Sequence, residues 1–330
     1  MKPNGPVSSP DTGPLFQELD ARRIKTMHAR AIRIVSLLFV LLLARSFFAP
    51  LPLDCQESKD SLQKLLVRGL AFVQGGDYGS AMEVYNQVLE KEPRNPEALY
   101  RLGILSYLDK DYGKAASYFE RSVQSDAEKQ DPWKRLGDSY EKSGRFKEAA
   151  QSYGRACQVE YQRSLQEREG LAWFSARELE KSRKIFESLV LEDPGDYHAV
   201  YYLGNVVLAM GDPSHAERCY QAAIRLRPEL VEAYVNLASI RFNAGKFSEA
   251  AGFLEKTFQV SPKSAPEDPT VRLNLGLAYL KVPDPKKAQT HLQKFLDLCP
   301  GCPQAEQVRG LIQAMGAGNP SDQQGSENKQ

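Results

Sequence analysis

Apolar and polar positions along this chain recur with a long period. From residue 62 to residue 302, stretches with apolar side chains at helical spacing alternate with short polar breaks, and the alternation returns every 34 residues. In rows of that length from Leu62, the eighth column reads Gly69, Gly103 and Gly137. With one residue removed in the fourth row it continues Gly170, Gly204, Ala238, and after a four-residue insertion near Ser264 it ends at Gly276. Twelve residues on, the column reads Ala81, Ala115, Ala149, Ser182, Ala216, Ala250, Ala288; four beyond that, Tyr85, Phe119, Tyr153, Phe186, Tyr220, Leu254, Leu292. Most rows close on proline: Pro93, Pro194, Pro228, Pro262, Pro300.

Each row therefore predicts two helices separated by a turn such as Gly76-Asp77, Gly144-Arg145, Gly211-Asp212 or Gly245-Lys246. The glycine of the first helix and the alanine of the second remove side-chain bulk, so the two backbones can approach closely. The aromatic one turn after the alanine fills the space between hairpins, and proline stops the second helix. One hairpin cannot bury its own apolar face, but a stack of hairpins buries a continuous core. The expected fold is an all-α right-handed solenoid of about seven hairpins, with rows starting near residues 62, 96, 130, 163, 197, 231 and 269.

These rows resemble tetratricopeptide repeats. Trp133, Leu136-Gly137, Tyr140, Ala149, Tyr153 and Ala156 follow that family's pattern. So do Leu102-Gly103 with Ala115 and Phe119, and Leu203-Gly204 with Ala216, Tyr220, Ala223 and Pro228. The resemblance runs over about residues 61–301. The fourth row departs from it: Gln166 and Glu169 stand where apolar core residues belong, and Ser182 replaces alanine. Two readings fit, a bent repeat or a polar surface that meets a partner. After the last row, residues 303–315 read as a capping helix and residues 316–330 as a polar disordered tail.

The resemblance implies a groove lined by the first helix of each hairpin, in which partner polypeptides lie. The sixth column would face it: Val67, Arg101, Arg135, Arg168, Tyr202, Asn236, Asn274. The fifth adds Tyr100, Lys134 and Tyr201, the ninth Asp138 and Asn205. Three arginines in register form a ladder suited to carboxylates or phosphates through forked charge-assisted hydrogen bonds. Asparagines downstream suit the donor and acceptor of an extended backbone. The competing reading is a solvated polar surface, neutralised internally by Glu97, Asp131 and Glu232. The subset of the family that clamps chaperone carboxy-termini is a poor match. Asn205 and Asn236 agree with it, but Tyr201 replaces its first lysine, and Thr270 and Asn274 replace its later lysine and arginine.

The N-terminus adds a tether. Residues 1–30 are a disordered, then basic, tail; residues 31–50 hold an apolar run from Ile34 to Ala44, then Arg45, and end at Pro50; residues 51–61 read as a linker. Two readings fit residues 31–50: a transmembrane signal anchor of about the length a bilayer needs, or a cleaved signal peptide. We favour the anchor, because the segment before the apolar run is long and the cleavage region is cramped. Arg22, Arg23, Lys25, Arg30 and Arg33 precede the run, so both readings leave the N-terminus in the cytoplasm and export the array.

Composition removes other functions. A formal net charge of +1 gives no reason to expect nucleic acid. Four scattered histidines share no metal-ligand spacing. No nucleophile–base constellation or phosphate-cradling loop emerges, so no enzyme, cofactor or small-molecule substrate is expected. The remaining chemistry is Cys299-Pro300-Gly301-Cys302, read either as a small disulfide before the cap, as inert thiols, or as a redox pair. The leading reading is a membrane-anchored interaction scaffold; the alternatives are a thiol–disulfide protein using Cys299 and Cys302, and a soluble cytosolic adaptor.

Overall fold

The computed structural model describes residues 53–282 and 284–317. The basic tail, the apolar segment 31–50 and the C-terminal tail from residue 318 lie outside the described residues. Those described form fifteen α-helices, one short 3₁₀ turn and no strand. No helix among them is long and apolar enough to cross a membrane.

The helices pair as hairpins. They are α1 (Leu53–Gln74) with α2 (Tyr78–Lys91), α3 (Pro96–Leu108) with α4 (Tyr112–Ser125), and α5 (Gln130–Lys142) with α6 (Phe146–Val159). Next come α7 (Arg163–Ser175) with α8 (Leu179–Glu192), and α9 (Tyr197–Ala209) with α10 (Pro213–Leu226). The last two are α11 (Val231–Asn243) with α12 (Phe247–Val260), and α13 (Pro269–Lys281) with α14 (Pro285–Leu298). A final helix, α15 (Ala305–Ala317), follows. The inserted residues form the 3₁₀ turn Ala265–Glu267. Helix α1 starts at Leu53, so the stretch read as a linker is helical from there on: its residues carry the helical pattern backward with no glycine or proline to stop it. The chain divides into two compact units between Val67 and Arg68, inside α1; the end of α1 and the helices α2 to α15 belong to the second.

Local chemistry sets the helix ends. Asp77, Asn95, Asp111, Asp196, Asp212, Asp268 and Asp284 each accept a backbone N–H of the following first turn. In the first six hairpins the inner turn holds one residue in the left-handed region. Gly76, Gly144, Gly211 and Gly245 supply it at φ of 78°, 75°, 88° and 74°. In the second and fourth hairpins Lys110 and Arg177 adopt it instead, at 63° and 62°.

The columns become the core. Ala81, Ala115, Ala149, Ser182, Ala216, Ala250 and Ala288 are buried, as are Tyr85, Phe119, Tyr153, Phe186, Tyr220, Leu254 and Leu292. In the first five hairpins the glycine of the first helix lies under the ring of its own hairpin: a Cβ at Gly69, Gly103 or Gly204 would fall 2.6–2.7 Å from that ring, and in the seventh Gly276 lies under Leu292. Buried Ser182 fits where the other rows have alanine, because its hydroxyl donates to the Gly170 carbonyl at 2.8 Å. The irregular fourth row is tied to the fifth by Arg163, which bonds Asp196 and the Leu189 carbonyl at 2.7 and 3.0 Å. Of the two residues that depart from the pattern, Gln166 accepts from the Tyr161 hydroxyl at 3.0 Å and Glu169 from the Trp173 indole of its own helix at 3.2 Å. At the other end, α15 buries Ala305 and Val308, and Val308 packs with Leu292 and Phe295 of α14.

Candidate functional site

The face built by the first helices is where the fifth, sixth and ninth columns meet. Tyr100, Arg101, Lys134, Arg135, Arg168, Tyr201, Tyr202, Asn205, Asn236 and Asn274 are all half-buried. In the third and fifth hairpins the columns cross from one repeat to the next: the aromatic reaches both the ninth column of its own first helix and the sixth column of the next first helix.

Where that aromatic is tyrosine, its hydroxyl is the centre of a clamp. The Tyr153 hydroxyl donates to Glu141 at 2.7 Å and lies 3.1 Å from Asp138. Arg168, from the next repeat, bonds Asp138 at 2.5 Å and Glu141 at 2.7 Å, and its guanidinium stacks 4.4 Å from the Tyr153 ring centre. Burial, with the Glu141 hydrogen bond, pushes the Tyr153 phenol far up, so it stays a donor. Burial opposes ionisation of Glu141, but the bonds from Tyr153 and Arg168 outweigh it and hold that carboxyl below its usual range. Two repeats on, the Tyr220 hydroxyl donates to Asn205 Oδ1 at 2.8 Å. Asn236 Nδ2 donates to the same oxygen at 2.9 Å and reaches the Tyr201 hydroxyl at 3.3 Å.

Where the aromatic is phenylalanine, the ninth column is apolar: Phe119 goes with Ile104, Phe186 with Leu171. The Phe186 ring sits 5.5 Å from that of Tyr202, which fills the sixth column there. Tyr85 departs from this correspondence. Its ninth-column neighbour is Leu70, and its buried hydroxyl has no hydrogen-bond partner among the described residues.

The arginine ladder therefore divides. Arg168 is committed to Asp138, Glu141 and Tyr153. Arg101 pairs with Glu97 at 2.7 Å, both about two-fifths exposed, an arrangement worth ~0–1 kcal/mol and readily exchanged. Arg135 lies 3.6 Å from Asp138. Of the carboxylates expected to neutralise the ladder, only Glu97 does so. Asp131 instead accepts from the Tyr100 hydroxyl at 2.6 Å, and Arg168 takes Asp138 and Glu141. Lys134 has no partner among the described residues. The Asn236 amide donates to Asn205 Oδ1, which also accepts from Tyr220, and this internal pairing further weakens the chaperone-clamp resemblance. Asn274 makes no hydrogen bond among the described residues and lines a cavity described below.

Cys299 and Cys302 are joined by a disulfide, with Cα atoms 5.4 Å apart, and pack against Leu292, Phe295 and Val308. That position anchors the start of α15. Cys219 is buried, and burial pushes its thiol up to about 11; Cys157 is half-buried with its thiol also raised by burial. Neither is an activated nucleophile. No group of three or more potential metal ligands occurs among the described residues.

The model of the tetratricopeptide repeat matches residues 66–132, 134–199 and 201–265, more than half of the chain. The chain belongs to the tetratricopeptide repeat family. Among curated proteins, the peroxisomal targeting signal receptor of Saccharomyces cerevisiae is 26% identical over 212 residues, covering 60% of this chain and 34% of the receptor. BBSome complex member BBS4 of Bos taurus is 24% identical over 231 residues, covering 70% of this chain and 44% of that protein. This chain thus spans less than half the length of either relative. Among solved structures, the C-terminal part of a repeat protein from Cytophaga hutchinsonii superposes with a TM-score of 0.55 at 18% identity, covering 74% of this chain and 98% of that one. A repeat protein from Parabacteroides merdae superposes at 0.51 and 18%, covering 78% and 99%. At such identities the likeness is one of fold.

Nothing in the hydrophobic pattern announces the clamps. Their signal is the correspondence between columns, tyrosine with a polar ninth position and phenylalanine with an apolar one, which has meaning only once those positions are known to touch.

Proposed function

We propose that this protein is a membrane-tethered scaffold that holds partner polypeptides along the face of its first helices. The observation that carries this reading is the pair of clamps. By bonding sixth-column residues to the preceding repeat, they lock successive first helices into one register. Side chains from Tyr100 to Asn274 then form a continuous half-buried strip, preorganised at little entropic cost on binding. Tyr100, Arg101, Lys134, Arg135, Tyr201, Tyr202 and Asn274 are the contacting residues; Arg168, Asn205 and Asn236 shape the strip. Arg101, Lys134 and Arg135 give its N-terminal half a positive character suited to an acidic segment, while Tyr201 and Tyr202 offer flat aromatic surface. The basic-then-apolar stretch before residue 50 supports a tether that places the array outside the cytoplasm.

A photo-crosslinking residue placed singly at Lys134 and Tyr202 tests the face in native membranes, with exposed second-helix positions Gln151 and Lys184 as controls. Discrete adducts at the first pair, absent from the second and lost from Lys134 when Arg101 and Arg135 are changed to Glu, are expected. Equal labelling at all four positions overturns the assignment. Extraction with alkaline carbonate tests the tether: release of the intact chain into the supernatant removes it.

A further inference from the structure

The sixth hairpin lacks the ring that the first five carry, and unlike the seventh, where Leu292 packs on Gly276, it has alanine in the glycine column. Its aromatic-column residue is Leu254, and its glycine-column residue is Ala238. In the third and fifth hairpins the same place holds Tyr153 against Asp138 and Arg168, and Tyr220 against Asn205 and Asn236. In the sixth it holds a cavity of about 220 Å³ between α11, α12 and α13, lined by Ala238, Phe242, Leu254, Leu277, Ala278 and Asn274. Ser239 and Asn274 occupy the ninth and sixth columns that close the clamps elsewhere. Here nothing bridges them: the Ser239 hydroxyl turns back to the Val235 carbonyl of its own helix. Asn243, also on the wall, makes no hydrogen bond among the described residues, nor does Asn274.

We propose that this cavity is a specificity pocket that takes a phenylalanine side chain from the partner polypeptide, with Asn274 and Asn243 bonding the main chain on either side of it. The inference rests on the scaffold reading and names the residue class that the groove selects. Three observations carry it. The volume is sufficient, since a dry apolar cavity of about 150 Å³ holds a benzene molecule. The accessible apolar wall is Phe242 and Leu277, backed by the buried hydrocarbon of Ala238, Ala250, Leu254 and Ala278, so a phenol inserted against it loses its hydrogen bonds to water without replacement, and phenylalanine is preferred to tyrosine. The polar groups lie in the columns that face the groove, where a bound main chain passes, and unpaired amides offer both donor and acceptor to it. Residues 318–330 contain no aromatic side chain.

The probe is N-acetyl-phenylalaninamide, a single ring between two peptide groups. Methyl NMR of the detergent-solubilised full chain, labelled at leucine and valine, reads the site directly. Saturable shifts at Leu254 and Leu277 are expected, with N-acetyl-alaninamide weaker by about tenfold or more, the difference made by burying a ring rather than a methyl group. N-acetyl-tyrosinamide falls between them. The double variant Ala238→Gly/Leu254→Phe restores the glycine–phenylalanine pair of the second hairpin and closes the pocket; its shifts at Leu277 vanish. No saturable shift at Leu254 and Leu277 in the unaltered chain overturns the pocket, as does equal binding of the alanine probe or persistent binding by the folded double variant. Adducts at Lys134 and Tyr202 do not depend on this result, so the pocket and the scaffold reading fail separately.

Discussion

The closest approach in each hairpin makes a prediction with an unusual sign. Gly103 lies inside α3, where glycine costs about 0.5–1 kcal/mol relative to alanine. On propensity alone Gly103→Ala should stabilise. The structure reverses this. A Cβ at residue 103 would stand 2.6, 2.8 and 2.9 Å from three carbons of the fully buried Phe119 ring. Ordinary carbon–carbon contact begins near 3.5 Å, so the ring must retreat by roughly 0.9 Å into a packed core. Overpacking of that kind costs about 1–3 kcal/mol. The net expectation is a loss of about 0.5–2 kcal/mol, a fall in the melting midpoint of roughly 2–6 °C for an array of this size. Gly252 is the control. It lies inside α12, and nothing approaches its Cβ direction within 4 Å, so Gly252→Ala should gain about 0.5–1 kcal/mol. Adding Phe119→Leu to Gly103→Ala reproduces the natural pair Ala238 and Leu254 of the sixth hairpin. The double variant should therefore lose less than the two single losses combined, with a coupling of about 1 kcal/mol. Denaturation of the three single variants and the double, followed by circular dichroism, reads all four. A Gly103→Ala variant as stable as the parent, or strict additivity in the double, refutes the reasoning that close approach dictates this column.

Other outcomes follow from other sites. Lys110→Gly and Arg177→Gly relieve side chains held in the left-handed region and should each raise stability by about 0.5–1 kcal/mol in the same assay. Arg168→Met leaves Asp138 and Glu141 without their cation and should cost about 1.5–3 kcal/mol at neutral pH. Because Glu141 is held below its ordinary 4.5, its contribution is present above that pH and is lost as the pH falls through the folded-state value; the variant should show a flatter acid limb. His291 sits between Phe258 and Tyr279, with Arg272 3.1 Å from Nδ1 and with Glu255 and Lys287 nearby. Burial, then Arg272, holds its imidazole below 6.5, so the last hairpin should lose stability as the pH drops below that value; His291→Asn should lack the slope in hydrogen exchange of α13 and α14. Cys302→Ser opens a loop of a few residues, worth about 2 kcal/mol in the chain-entropy model, and should raise exchange in α15 while leaving α3 to α9 unchanged.

The period, the pairing of helices and the packing roles of glycine, alanine and ring were legible because each depends on one residue's size or backbone freedom at a fixed spacing. Arg101, Arg135 and Arg168 look equivalent in a column. Their fates differ because Asp138 and Glu141, one repeat back, come within reach of Arg168 only after the hairpins stack. Lys110 and Arg177 show the same limit locally: the turn geometry is imposed by the helices on either side, so a residue with no preference for it is carried into place. The substitution of Leu254 for a ring reads along the chain as one apolar residue for another. It becomes a cavity because Leu254 leaves open the space that Tyr153 and Tyr220 occupy in the third and fifth hairpins. Sequence by itself determined the repeat, since burial of an amphipathic hairpin is a local requirement met again every 34 residues. Which polar groups are used internally and which remain for a partner was decided only by tertiary structure, because hydrogen bonds and ion pairs between repeats act over a few ångströms among residues about thirty positions apart.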